Sequence, residues 1–435
     1  MRKARGKALR ARRPRGRQAG WSLRRREGDL VPRLLAAVEG RRTDLLPIRW
    51  GRMAASPFGF FRGAAALMAE DLGPLPSSGL EVQLCGDAHL LNLGAYAAPD
   101  GHLVFDLNDF DETCRGPFEW DLKRLATSFA VGGRVAGLSD PACAAAVRAV
   151  VEAYREGLDR FSRLRVLELA RLELGPRRGA GPLAAIFRQA ARNGPQVLVE
   201  RHTVPDGGGF ARFRARPPLL VPLRPREARP VLAALRDYLA SLGPGRRQVV
   251  EAYAPRDLAF KVVGTGSVGV LDHVALLYGN GPRDPLFLQV KEADDTCWRR
   301  WLKGRRARPE PAHHGRRVAE GQLRTQTVSD PFLGWTSASG RDFIVRQWGD
   351  HKGSLDVRAL GEGEAEAYAA LCGEVLAKAH ARTGDAAMLA GYCGRGSRLD
   401  RALARFALDY ADQTEADHAG LVRAIAGGRL EAREP

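Results

Sequence analysis

The stretch CGDAHLLN, Cys85–Asn92, with LVFDLNDFDE, Leu103–Glu112, downstream of it, decides how the rest of the chain is read. LEVQL, Leu80–Leu84, begins like a strand. LVFDLNDF alternates apolar and polar residues in the manner of a second strand, and the turn APDG, Ala98–Gly101, precedes it. A β-hairpin is predicted whose flanks carry GDAHLLN and NDFDE. Asp87, His89, Asn92, Asp106, Asp109, Asp111, Glu112, Glu119 and Asp121 all fall between Gly86 and Asp121. Short acidic side chains at adjacent strand ends can converge on a divalent cation. Mg²⁺ prefers such oxygens and fills its shell with waters or substrate phosphates. Asp87, two residues before His89 and five before Asn92, also suits phosphoryl transfer. Its carboxylate can take the proton of an attacking hydroxyl while the Asn holds metal. Taken singly, Asp and Asn are ordinary turn and capping residues. So many acids around two strand ends exceed what turns require.

Downstream, GTGSVG, Gly264–Gly269, sits between two segments that read as strands, FKVV and HVALLYG. A dinucleotide fingerprint would lead into a helix instead. PLFLQVKEA follows, bearing Lys291. A glycine loop over phosphates, then a strand bearing Lys, is the order of parts in a kinase small lobe. Gly264, Gly266, Ser267, Gly269 and Lys291 are therefore candidate nucleotide contacts. Glu320, on the helical RRVAEGQLRTQ, is the candidate partner of Lys291. Glu292 is adjacent in a strand and so points to the other face. The composition singles out this lysine. Of 68 basic residues only eight are Lys, so Arg serves wherever a generic positive charge will do. A Lys kept in the folded region marks a place that needs a compact ammonium.

The remaining features bound the class. A chain of 435 residues, 45% hydrophobic, suggests two or three substructures. It contains no apolar run of about 20 residues, so no membrane helix is predicted. Cys85, Cys114, Cys143, Cys297, Cys372 and Cys393 form no CxxC pair, which argues against a zinc ribbon or a disulfide scaffold and for a reducing, cytoplasmic setting. The net charge of +18 is uneven, because residues 1–26 hold twelve Arg or Lys and no acid. Residues 1–30 therefore read as a solvated basic tail, with weak polyanion contact as its alternative use. Helices are predicted from Glu119 to about Val135, from Pro141 to Ser162, and through the last 75 residues.

Eight motifs in order, among them LLPIRWGRMAASPFGFFRGAAALMAEDL, CGDAHLLNLGAY, VFDLNDFDETCRGPFEWDLKRLATS, FKVVGTGSVGV, FLQVKEA and FIVRQWGDHKGS, resemble a bacterial family known as domain of unknown function 2252. The resemblance runs from about Arg24 to Arg429 and implies no activity. More loosely, the catalytic segment resembles aminoglycoside-phosphotransferase-type kinases, with Cys85 where they carry His. That resemblance implies Asp87 as base, Asn92 and Asp109 as Mg²⁺ ligands with Asp106 and Asp111 competing, Asp121 as a structural residue, and ATP as cofactor. The motif order is reversed, since Gly264–Lys291 follow the catalytic segment. A circular permutation accounts for that, with FIVRQW as hinge and LAKAHA as the helix that normally leads into the catalytic loop. The expected fold is α+β, kinase-like and two-lobed. Residues 31–250 form the large-lobe region with the catalytic segment at 84–125, residues 251–355 the β small lobe, and residues 356–435 the C-terminal helices. Further candidates are Arg62, Arg346, Gln347, Lys352, Asp385 and His380, the last also readable as a satisfied helix histidine. The functional expectation is an ATP- and Mg²⁺-dependent phosphotransferase or nucleotidyl transferase acting on a small molecule or protein. The alternatives are a nucleotide-binding pseudoenzyme and a polyanion binder acting through its tail.

Overall fold

A computed structural model describes residues 1–21, 29–174, 181–302, 311–349 and 351–433. Residues 22–28 of the basic segment and residue 350 of the FIVRQWGDHKGS motif lie outside it. The fold is a mixture of helices and antiparallel sheet, as the α+β expectation required.

The chain opens with a helix, α1, Arg2–Arg12, where a solvated tail was expected. It packs on a helix near the other end of the chain. Gly6 lies so close to Met388 that an added Cβ would meet the Met388 oxygen at 2.0 Å, and Gly391 faces Lys3 in the same way. The arginines then have work beyond solvation. Arg10 Nε donates to the Tyr392 carbonyl at 2.9 Å and Arg15 to the Cys393 carbonyl at 2.6 Å. These are last-turn carbonyls of that helix, where cations are favoured by the dipole. Helices α2, Leu46–Ala54, and α3, Pro57–Gly63, follow. Ser56 caps α3 by accepting from Gly59 N–H.

Four short strands come next: β1, Glu81–Leu84; β2, Leu93–Ala97; β3, Leu103–Leu107; and β4, Cys114–Pro117. The predicted pairing of the first and third is corrected. β2 pairs with β3, and β1 pairs with β4. The turn at Ala98–Gly101 is tight, with Gly101 at φ +88°, and closes directly back onto β2. GDAHLLN is thus the connection from one two-stranded sheet to the other, not a hairpin flank.

Helix α4, Phe118–Val135, is buried around almost its whole circumference, and α5, Asp140–Phe161, packs beside it. It is buried although it carries Glu119, Asp121, Lys123 and Arg124, so its charged side chains must be met inside the protein. Phe118, Leu122, Leu125 and Phe129 are at most 2% exposed, each contributing roughly 1.5–3 kcal/mol of burial.

The larger sheet is built from β5, Leu220–Pro222; β6, Ala254–Lys261; β7, Asp272–Tyr278; β8, Pro285–Glu292; β9, Gly334–Ala338; and β10, Arg341–Gln347. Its order is β9-β10-β8-β7-β6-β5, antiparallel throughout. Between β8 and β9 runs α6, His314–Thr325. The C-terminal region holds α7, Glu362–Thr383; α8, Ala386–Cys393, which receives α1; and α9, Arg398–Ala426. The helical C-terminal region was expected, and α9 runs unbroken because DQTEAD contains no Gly or Pro to end it. No helix among the described residues is long and apolar enough to cross a membrane.

Candidate functional site

The GDAHLLN connection is fixed from beneath by α4. Asp121 accepts both the Cys85 N–H at 2.8 Å and the Gly86 N–H at 3.0 Å. Gly86 has φ +87°, and an added Cβ would meet the Glu112 carbonyl oxygen at 1.9 Å, so no larger residue fits. Trp298 donates its indole N–H to the Gly86 carbonyl at 2.8 Å and stacks on Trp120 at 4.3 Å. The turn is thus held at the Cys85 and Gly86 N–H groups and at the Gly86 carbonyl.

Arg124, one turn after Asp121 on α4, holds Asp87. It is 1% exposed, forms an ion pair with Asp87 Oδ1, donates to the Phe61 carbonyl at 3.0 Å and lies over the Phe61 ring. Asp87 Oδ2 has no hydrogen-bond partner among the described residues. Asn92 donates its side-chain N–H to the Asp87 carbonyl at 2.6 Å, and its side-chain oxygen accepts from no described residue. His89 Nδ1 accepts from Leu91 N–H at 3.2 Å, so Nε2 carries the proton. Burial first, then Arg62 and Arg124, hold its pKa well below the ordinary histidine value. His89 is neutral and orders the turn.

The acidic run resolves into three environments. Asp106 is buried and ion-paired with Lys378 of α7, itself 1% exposed. That corrects its candidacy as a metal ligand, since a buried carboxylate already neutralised inside the core faces no cleft. Asp111 is paired with Lys291 of β8, and Ser267 of the glycine loop joins them, accepting from Lys291 Nζ at 2.8 Å and donating to Asp111 at 3.3 Å. Burial would raise the Asp111 pKa, but Lys291 and Arg346 outweigh it and the group is held low. Among the described residues Asp109 has no cation in hydrogen-bond contact. Its pKa is raised, by burial and then by Asp111, with Lys291 opposing.

The glycine loop stands over these acids. Arg41 and Arg49 both donate to the Gly266 carbonyl. Arg49 also reaches the Thr265 carbonyl at 3.0 Å, Arg41 the Val268 carbonyl at 3.1 Å, and Arg52 the Gly264 carbonyl. With the carbonyls taken, the N–H groups of Gly264, Thr265, Gly266 and Ser267 donate to no acceptor among the described residues. A row of unpaired amides is the arrangement that cradles anions. Loop and acids line one cavity of about 670 Å³, which includes Asp87, His89, Asn92, Asp109, Asp111 and Arg62. Arg62 of α3 is half-buried there with no hydrogen-bond or ion-pair partner among the described residues, its Nε wholly enclosed.

Several other candidates stand elsewhere. Glu320 does not pair with Lys291. It accepts from Arg316 at 2.6 Å and from Arg324, both one turn away on α6, and Asp111 takes its expected place. Asp385 caps α8 through the Met388 N–H at 3.0 Å. His380 is a satisfied core histidine, between Tyr154 at 2.8 Å and Asp121 at 3.4 Å. Gly269 closes the glycine loop and binds Arg42 N–H through its carbonyl. Arg346, Gln347 and Lys352 line a smaller adjoining cavity with Asn108 and Asp330. Sequence reading missed Arg41, Arg49, Arg52, Arg124 and Arg317. The last donates to the Asp111 carbonyl at 2.9 Å and the Asp294 carbonyl at 2.6 Å. In an arginine-rich chain none of these stands out. Only the place of Arg124 within DLKRLA offered a signal.

The donor set suits a hard cation. Asp109, Asp111 and Asn92 supply oxygens on one cavity wall, yet among the described residues no group of three His, Cys, Asp or Glu closes around a point by itself. Mg²⁺ bound through one or two carboxylates, with phosphates completing its shell, fits such a site. Comparison with curated proteins and with solved structures finds no match. A family profile does match, over residues 41–424, and by it this chain belongs to the family described as "Uncharacterized protein conserved in bacteria (DUF2252)".

Proposed function

We propose that this protein is an ATP- and Mg²⁺-dependent phosphotransferase with a kinase-like, circularly permuted fold. The observation that carries the reading is the Lys291–Ser267–Asp111 cluster, which joins the glycine loop and the catalytic segment across 180 positions of sequence. The order of glycine loop, Lys-bearing strand and helix, here the 264–269 loop, β8 and α6, is that of a kinase small lobe. The permutation is supported at both seams. The last turn of α7 meets β1, where Gln83 N–H donates to Thr383 Oγ1 at 3.1 Å, so α7 abuts the strand that leads into GDAHLLN. The two ends of the chain touch as well: Arg429 pairs with Asp29, and Arg433 N–H donates to the Pro47 carbonyl at 2.9 Å.

In this reading the free amides of Gly264–Ser267 and the ammonium of Lys291 hold the nucleotide phosphates. Asn92 and Asp109 would hold the metal, with Asp111, paired to Lys291, beside them. Bound Mg²⁺ would neutralise phosphate charge and set the geometry of transfer. Asp87, fixed through Oδ1 by Arg124, presents Oδ2 to the acceptor hydroxyl and takes its proton. Arg62, unpaired beside Asp87 and Asp109, meets the charge of the group in transit. The acceptor is a small molecule or a protein, and the same parts serve nucleotidyl transfer if the nucleotide lies reversed.

A second reading, nucleotide binding without turnover, is favoured by the Arg124–Asp87 ion pair, which occupies one oxygen of the proposed base. Thermal melting with and without Mg-ATP tests binding, and turnover of labelled ATP in wild type against Asp87→Asn separates the two readings. No shift of the melting temperature at millimolar nucleotide would sink both.

A further inference from the structure

A second cavity, of about 520 Å³, lies between residues Arg13–Trp21, α4, α9 and the Leu75–Pro76 turn, and shares no lining residue with the acidic cleft. Its charged lining is Arg13, Arg17, Lys123 and Arg405 against Asp409, which is already 3.8 Å from Arg405. Lys123 is 4% exposed, yet its ammonium makes no hydrogen bond or ion pair among the described residues and only lies 4.4 Å over the Phe406 ring. Burial pulls its pKa down to about 8, Glu119 opposing. Glu119 does not reach the ammonium: its Oε1 accepts from Ser78 N–H at 2.6 Å and from Gln18, and its Oε2 is buried without a hydrogen-bond partner among the described residues. The indole N–H of Trp21 is buried without an acceptor, and the Arg17 guanidinium is unpaired among the described residues.

Buried donors are ordinarily satisfied, and a buried cation ordinarily has a counter-charge. Lining this cavity, the buried Lys123 ammonium and Trp21 indole N–H are unmet and the exposed Arg17 adds a cation, around a space within the range of small-molecule sites, roughly 300–1,000 Å³. We propose that this cavity binds a small phosphate-bearing anion, with Lys123 as its buried anchor, Arg17 and Arg405 closing over it, and Leu75, Pro76 and Trp21 flanking its less polar part. Lys123 lies on α4 between Asp121 and Arg124, the two residues that hold the Cys85–Asp87 turn. One rigid helix therefore serves both sites.

The test is calorimetric titration of the full-length protein with inorganic pyrophosphate, without Mg²⁺, in wild type, Lys123→Met and Lys291→Met. Binding to wild type is expected, weakened about tenfold or more by Lys123→Met, the loss of one charge-assisted anchor, and unchanged by Lys291→Met. Equal affinity in Lys123→Met and wild type, or no wild-type binding at about 10 mM, overturns the proposal. Loss in Lys291→Met instead assigns the anion to the acidic cleft and also overturns it. If Lys123→Met does not fold, Arg17→Ala, whose side chain is exposed, carries the same comparison.

Discussion

Replacing Asp106 and Asp109 separately by Asn should give opposite results, though the two lie three residues apart in one acidic run. Asp106 is 3% exposed and its partner Lys378 is fully buried as well. Asp106→Asn leaves that ammonium buried without its counter-charge, and breaking a buried pair from one side costs about 3–5 kcal/mol. With a urea slope of about 3 kcal/mol/M, the unfolding midpoint falls by about 1–1.7 M. Asp109→Asn removes a charge that the fold already disfavours. Burial and Asp111 raise its pKa, so folding favours the protonated form. The stability this group contributes is full below the unfolded pKa and is lost as pH rises through the folded one. At neutral pH the neutral Asn should therefore leave the apoprotein as stable as wild type or more so, and the difference should close on acidification. Ligand response should run the other way. Mg-ATP at a hundred times its dissociation constant adds about 2.7 kcal/mol. Asp106→Asn should keep that increment on a weaker base, and Asp109→Asn should lose it. Urea melts of both variants with and without Mg-ATP, at pH 7 and pH 5, read all of these differences. If Asp109→Asn is destabilised as much as Asp106→Asn, or keeps the full Mg-dependent increment, the division of the run into one structural and one metal-facing carboxylate is wrong.

Lys291→Met should abolish stabilisation by Mg-ATP while leaving the far-ultraviolet circular dichroism unchanged; retention of the thermal shift would exclude Lys291 from the phosphate site. Gly86→Ala must relieve a 1.9 Å approach to the Glu112 carbonyl as well as a positive φ, so it should cost more than the roughly 1–3 kcal/mol of backbone strain alone, read as a fall in melting temperature with loss of any ATP turnover. Deleting residues 1–21 should uncover the α8 carbonyls that Arg10 and Arg15 satisfy and the Gly6–Met388 contact; a fall in melting temperature of several degrees is expected, whereas a freely solvated tail could be removed without effect.

What could be read from the sequence was local. Strands β7 and β8 lie where apolar runs and glycine turns put them, and Lys291 stands on its expected strand, whereas β6, Ala254–Lys261, runs mostly ahead of the FKVV segment expected for it. The partners of these elements were not legible. β1 closes on β4 across the whole catalytic segment, and no propensity distinguishes that pairing from the hairpin expected with β3. Glu320 looked like the partner of Lys291 because it sits on the next helix, but Arg316 and Arg324 lie one turn to either side and claim it. The basic tail misled for a similar reason. Charge density reads as solvation unless the acceptors are known, and here they are carbonyls at a helix end nearly 400 residues away.

The scarcity of lysine proved a sharper guide than its first use suggested. Lys291, Lys378 and Lys123 are each at most 4% exposed, in a chain that uses Arg for most of its positive charge. Two of them face a buried or half-buried carboxylate, and the third faces an aromatic ring and a cavity. A planar guanidinium needs several acceptors in one plane, whereas a compact ammonium can be matched by one or two. Arg124 and Arg317 show the contrast, since both are buried only where several acceptors, mostly backbone carbonyls, surround them. Where the chain has one carboxylate to offer, it places Lys. At Lys123 the nearby Glu119 turns its Oε1 to Ser78 and Gln18 and makes no ion pair with the ammonium, and that missing contact is what sets the second cavity apart from the packed core around it.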